Sequence, residues 1–216
     1  MIKALAIKEL REALGLLALG VVGIAYMTLS LIGMAILPGS YAEKPYFPFA
    51  ADAHALMQTV ILGAFSLLLG FRQTAWELHN STFCFILHRP LARRIVFVVK
   101  LAVGMMLVVL LNTLFVAVYG WWSATPATHP TPFFWSMTLP AWKTGFTMVL
   151  VYLGAFLSGL RPGNWFGSRL APAAAGILAA GFASSIPWWW LSVVVWLSGI
   201  VVLLIGIFYY CQQRDF

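Results

Sequence analysis

Residues Glu77 to Lys100, ELHNSTFCFILHRPLARRIVFVVK, hold the side chains of this chain best suited to specific chemistry. Arg89, Arg93 and Arg94 lie between an acid at the start and a lysine at the end, with Phe83, Phe85 and Ile86 among them. The segment is a polar, basic island between two long apolar runs. It begins just past Arg72, where one hydrophobic stretch stops, and Lys100 stands at the foot of the next. In so apolar a chain the arginines must face water or headgroups. A basic amphipathic segment at a membrane face is suited to docking a soluble partner or anionic lipid.

Other chemistries lack their residues. No G-x-x-x-x-G-K-[ST] occurs, so the chain has no phosphate-binding loop for ATP, and neither H-E-x-x-H nor G-x-S-x-G is present. His54, His79, His88 and His129 scatter over both membrane faces of a six-span arrangement, which makes a shared metal site a poor reading. Glu9, Glu12, Glu43, Asp52, Glu77 and Asp215 all fall at span ends or in loops. Ionisable groups within spans usually mark proton or ion paths, so their expected absence argues against a proton-coupled carrier and against intramembrane proteolysis. Asn112 is the one strongly polar side chain deep in a span, and its expected role is an interhelical hydrogen bond. We expect no enzyme activity and no cofactor in this chain.

The spacing in 77–100 resembles the cytoplasmic loop of ABC-2-type exporter permeases, which often reads E-x-E-x-G-T, an apolar pair, P-x-S-R, and a Lys ten positions past the Pro. Glu77 falls on the first Glu, Thr82 on the Thr, and Ile86 with Leu87 on the apolar pair. Pro90 falls on the Pro, Arg93 on the Arg and Lys100 on the final Lys. His79, Ser81 and Ala92 depart from the pattern, standing for the second acid, the Gly and the Ser. The match covers about two dozen residues. It implies a permease subunit, alone as a pair or with a paralogue, driven by two cytoplasmic ABC ATPase subunits that hold the ATP and Mg. Residues 77–94 would be the coupling helix. Glu77 opens it, Thr82 caps or orients it, and Phe83, Phe85 and Ile86 fill a groove on the ATPase. Arg89, Arg93 and Arg94 meet acidic residues or lipid phosphate. Pro90 ends the helix, since proline lacks an amide donor and disfavours helix in the residue before it.

The elements that must position this segment follow from composition. The chain has 216 residues, 62% hydrophobic and only 9% charged, with mean hydropathy +0.92. That places it among polytopic all-α membrane proteins, as a single transmembrane domain over 1–216. Apolar runs predict six spans, roughly 14–37, 54–71, 96–120, 141–160, 170–187 and 188–210. Pro187 and Trp188–Trp190 leave almost no loop between the last two, so a five-span arrangement with a re-entrant hairpin is the alternative. Residues 1–13 mix apolar and charged types with no helix breaker and read as an interfacial amphipathic elbow helix. Such an element usually opens permeases of the family resembled.

The net charge of +7 is a topology signal rather than a nucleic-acid footprint. Lys3, Lys8, Arg11, Arg72, Arg89, Arg93, Arg94, Lys100, Arg161, Arg169 and Arg214 fall on one side of the six-span arrangement, and only Lys44 and Lys143 on the other. The positive-inside rule then puts both termini in the cytoplasm of a cell-membrane protein. Cys84 and Cys211 land on the reducing side, so no disulfide is expected. Prolines and aromatics fill both outer loops, 38–53 and 121–140, which suits the headgroup layer and leans toward a lipophilic or amphiphilic substrate. The small residues of 170–187 permit close helix packing, within the chain or in a dimer. A non-transporting scaffold or assembly factor, whose basic loop docks a soluble protein or anionic lipid, is the second functional reading.

Overall fold

The computed structural model describes residues 2–34, 47–50, 52–79, 92–164 and 168–213. Among the described residues six long helices carry the fold: α1 Ile2–Ile32, α2 Asp52–Phe71, α3 Arg93–Ala124, α4 Leu139–Leu160, α5 Ala171–Ser185 and α6 Trp189–Gln213. A π-helical turn, Arg72–Trp76, carries α2 on into Glu77–His79, and a 3-10 turn, Trp135–Thr138, leads into α4. No strand occurs among the described residues. Ile2–Ile32, His54–His79, Arg93–Ala124, Trp135–Leu160 and Trp189–Gln213 are each long and apolar enough to cross a membrane. The chain is an all-α, multi-pass membrane protein.

Three expectations change. The stretch predicted as a span over 170–187 forms a helix of 15 residues, Ala171–Ser185. At ~1.5 Å per residue it reaches roughly 22 Å, short of a ~30 Å hydrocarbon core. Pro187 is the cause, because it disfavours helix in the residue before it. Ile186 accordingly adopts φ −68, ψ 122 and ends the helix. Residues 2–13 also do not stand apart as an elbow. α1 runs unbroken from Ile2, and its inner stripe Leu5, Glu9 and Ala13 continues into Gly20, Ile24, Met27 and Leu31. The four-residue spacing of Leu5, Glu9 and Ala13 keeps them on one helix face. That face packs into the protein, while Ile2, Lys3, Ile7, Arg11 and Glu12 of the same stretch stay exposed. α1 then ends earlier than the run to 37 implied. Gly33 takes φ 93, its amide donates to Ser30 O, and the Met34 amide donates to Leu29 O. This is a Schellman cap, which needs a residue tolerant of the left-handed conformation.

α4 is the hub, packing on α2, α3, α5 and α6. Its stretch from Gly145 to Leu160 is buried almost throughout. α4 and α5 approach so closely that a methyl at Gly176 would lie 2.5 Å from Leu150 O and 3.2 Å from the Gly154 Cα. α6 lies at the periphery, with Val201, Val202 and Ile205 exposed as lipid-facing side chains are. Successive helices alternate in direction. The starts of α1, α3 and α5 meet the ends of α2, α4 and α6 at one end, here termed the basic end. Arg169 reaching Ser158 O and Gly159 O, and Arg161 reaching the Tyr210 hydroxyl, mark that end.

Candidate functional site

At the basic end α1, α2 and α3 bring Glu9, Glu77 and Lys100 together inside the bundle. Lys100 stands seven residues into α3, about 10 Å along its axis at ~1.5 Å per residue. It shares its helix face with buried Val96, Phe97 and Gly104. Its ammonium is fully buried and donates to Glu9 Oε1 at 2.8 Å and Glu77 Oε1 at 2.6 Å. Glu9 and Glu77 are 1% and 3% exposed. Lys8, with its side chain 32% exposed, closes the cluster from outside. Its Nζ lies 2.7 Å from Glu77, 3.2 Å from Glu9 and 3.2 Å from Glu12.

The π turn supports this cluster from below. Closing i→i+5 widens the helix by one residue and re-aims its side chains. Gln73 and Thr74 of that turn point inward and are buried. Gln73 Nε2 lies 3.4 Å from Glu9 Oε2 and 3.4 Å from Lys100 O. Its Oε1 accepts a 2.6 Å bond from the Tyr152 hydroxyl. A methyl at Gly104 would overlap that tyrosine ring, so the glycine makes room for the ring to pass under α3.

Charge balance explains why the cluster is tolerable. Stripping water from an ion costs several kcal/mol, which good geometry and complete hydrogen bonding can offset. Two ammoniums face two buried carboxylates, with Glu12 at the half-exposed rim. Carboxylate oxygens of Glu9, Glu12 and Glu77 lie within 4.8 Å of one another, a spacing that could hold a metal ion. Lys8 and Lys100 lie against the same carboxylates, so the trio forms one ion cluster with them.

Toward the other end a neutral network spans three helices. Gln58 Nε2 donates at 2.8 Å to both Asn112 Oδ1 and Ala141 O. Asn112 thus makes the interhelical bond expected of it. Farther out Phe49 takes φ 62 and is buried against Tyr119, with ring centroids 4.7 Å apart. His54 and Phe115 complete this aromatic cap at 5.8 and 6.0 Å.

Of the residues singled out in 77–94, Glu77 is drawn into the buried cluster rather than left on a docking surface. Arg93 and Arg94 are exposed at the start of α3. Thr82, Phe83, Phe85, Ile86, Arg89 and Pro90 lie outside the described residues, as does the helix end expected at Pro90. The sequence reading missed Lys8, Glu9, Gln73 and Tyr152 as site residues and treated Lys100 as the end of a motif and a topology charge. The expectation that no ionisable group is buried in the bundle is likewise corrected by Glu9, Glu77 and Lys100. A signal was present: Lys100 interrupts the apolar run VFVVKLAVG in phase with its buried stripe.

No family model, curated protein or solved structure matches this chain.

Proposed function

We propose that this protein is the membrane subunit of an ABC-type exporter, working as a pair of permease chains driven by separate cytoplasmic ATPase subunits. One observation carries the reading. Glu77 and Lys100, the two ends of the basic segment, are joined at 2.6 Å, and the same Lys100 grips Glu9 of α1. A load applied to the segment between them therefore passes into α1, α2 and α3 together. That is the mechanical requirement for coupling a soluble motor to a helix bundle, in which ligand-biased domains rock between two states. The ATP and Mg belong to the partner. The buried core of one chain gathers around α4, and in this reading the substrate path runs between two permease copies. The apolar outer loops favour a lipophilic or amphiphilic substrate, and the basic end is the cytoplasmic face in this reading.

The test is purification from native membranes in mild detergent, with mass spectrometry of the proteins retained. The expected result is a soluble ATPase carrying a phosphate-binding loop, retained by the parent and lost from Phe85→Ala and Arg93→Glu. The loss from Arg93→Glu should depend on salt, as a rim charge contact does. The purified chain alone should not hydrolyse ATP. Recovery of the chain without any ATPase, or equal retention by both variants, would replace this reading with that of a static membrane scaffold.

A further inference from the structure

A groove of about 420 Å³ opens sideways between α1 and α2 at the basic end. Leu16, Leu68 and Phe71 form its apolar wall, and Arg72, Trp76 and His79 stand at its head. Leu68 and Trp76 are more than half exposed, so the groove faces the bilayer and not the protein interior. Its volume falls within the roughly 300–1,000 Å³ of ordinary ligand sites.

Arg72 sets the chemistry. Its Nε donates to Glu12 O at 2.9 Å, which fixes the guanidinium against α1. Its Cζ lies 6.0 Å from the centre of the Trp76 ring. The two terminal amino groups of the fork have no hydrogen-bond acceptor among the described residues. Glu12, whose backbone oxygen takes that bond, has its carboxylate on Lys8 at 3.2 Å. A planar guanidinium held in place, with two amino groups to offer, suits a phosphate oxygen pair. The adjoining wall suits an acyl chain. A zwitterionic headgroup would bring its own ammonium toward Arg72, whereas an anionic one would not.

We propose that this groove binds one anionic phospholipid of the surrounding leaflet, its phosphate on Arg72 and one acyl chain along Leu16, Leu68 and Phe71. The proposal does not depend on the protein being a transporter. Its consequence lies in the π turn. Arg72 and Trp76 face the groove, while Gln73 and Thr74 of the same turn face the interior, where Gln73 touches Glu9 and Tyr152. A lipid seated on Arg72 therefore holds the turn that supports the buried ion cluster.

Native mass spectrometry of the purified full chain tests this with three probes: dioctanoyl phosphatidylglycerol, dioctanoyl phosphatidylcholine and inorganic phosphate. The parent should bind the glycerol lipid roughly tenfold more tightly than the choline lipid, ~1.4 kcal/mol, and inorganic phosphate should not displace it. Arg72→Gln should bring the ratio of the two affinities close to one. Leu68→Trp, which fills the slot and leaves Arg72 in place, should weaken both lipids, and it carries the test by itself if Arg72→Gln does not fold. Equal binding of the two lipids by the parent, a ratio unchanged in Arg72→Gln, undiminished binding by Leu68→Trp, or displacement by phosphate alone would each overturn the proposal.

Discussion

Replacing Lys100 by methionine is the most demanding test of the buried cluster. Methionine keeps much of the side chain's length and apolar bulk and removes only the charge. Two ion pairs disappear, at 2.8 and 2.6 Å, and two buried carboxylates are left with Lys8 alone between them. Unit charges 4.8 Å apart, the limit for these carboxylate atoms, repel by about 3.5 kcal/mol at an effective dielectric of ~20. Removing one partner of a buried ion pair costs about 3–5 kcal/mol on general grounds. Lys8 stays within 2.7 and 3.2 Å of the two acids and offsets part of the loss. Lys100→Met should therefore lower the unfolding free energy by ~3 kcal/mol, near the bottom of that range. The measurement is denaturant unfolding of the purified chain in mixed micelles. The triple variant Lys100→Met, Glu9→Gln, Glu77→Gln should recover most of the loss, because neutral replacement of a whole buried cluster is often tolerated. A single variant within ~0.5 kcal/mol of the parent, the ordinary range for surface substitutions, would refute the reasoning. So would a triple variant no more stable than the single one.

Tyr152→Phe should cost ~1–3 kcal/mol, because Gln73 Oε1 loses the donor it holds at 2.6 Å in a buried site; the same unfolding assay reads it. Gly145→Ala should cost about 1–3 kcal/mol by overpacking, since the new methyl overlaps the Asn112 amide. Gly15→Ala is its control. Nothing lies within 4 Å of a methyl there, and helix propensity favours the change by up to ~1 kcal/mol. Cys211 is buried, so a maleimide should label it in the folded protein far more slowly than after unfolding; equal rates would contradict its packing on α6.

Much of the architecture is legible in the chain because it depends on local chemistry. Runs of apolar residues mark the long helices, and Pro187 separates α5 from α6, whereas the stop of α1 at Gly33 was read past. Asn112 is recognisable because a lone amide in a span must find a partner. The ion cluster is not legible in the same way. Lys100 meets Glu9 across 91 residues of sequence and Glu77 across 23, and no local pattern encodes such a meeting. Position near a span end made each charge look like a topology anchor. Hydropathy averages conceal it further, because one lysine in VFVVKLAVG hardly lowers the mean. The burial of Glu9 within residues 2–13 was hidden for a related reason. A helix with charges on two faces reads as interfacial until one of those charges, Glu9, proves to have a buried partner.

The placement of glycines relates these polar groups to the packing of the bundle. Gly104 of α3 makes way for Tyr152, Gly145 of α4 for the Asn112 amide, and Gly159 of α4 for Thr74 of the π turn. At each position a small residue on one helix accommodates a polar side chain from another. In lipid, helices gain little from mutual hydrophobicity, so association rests on such close packing and on interhelical hydrogen bonds. Two of these contacts set α3 against α4, and the third sets the π turn at the end of α2 against α4. α1 is held at this end by Glu9, Lys8 and the Arg72 bond to Glu12 O. The cluster is therefore the place where α1 and the α2–α3 pair are tied by charge as well as by shape. Lys8 of that cluster remains partly exposed, so water and external charge can reach it.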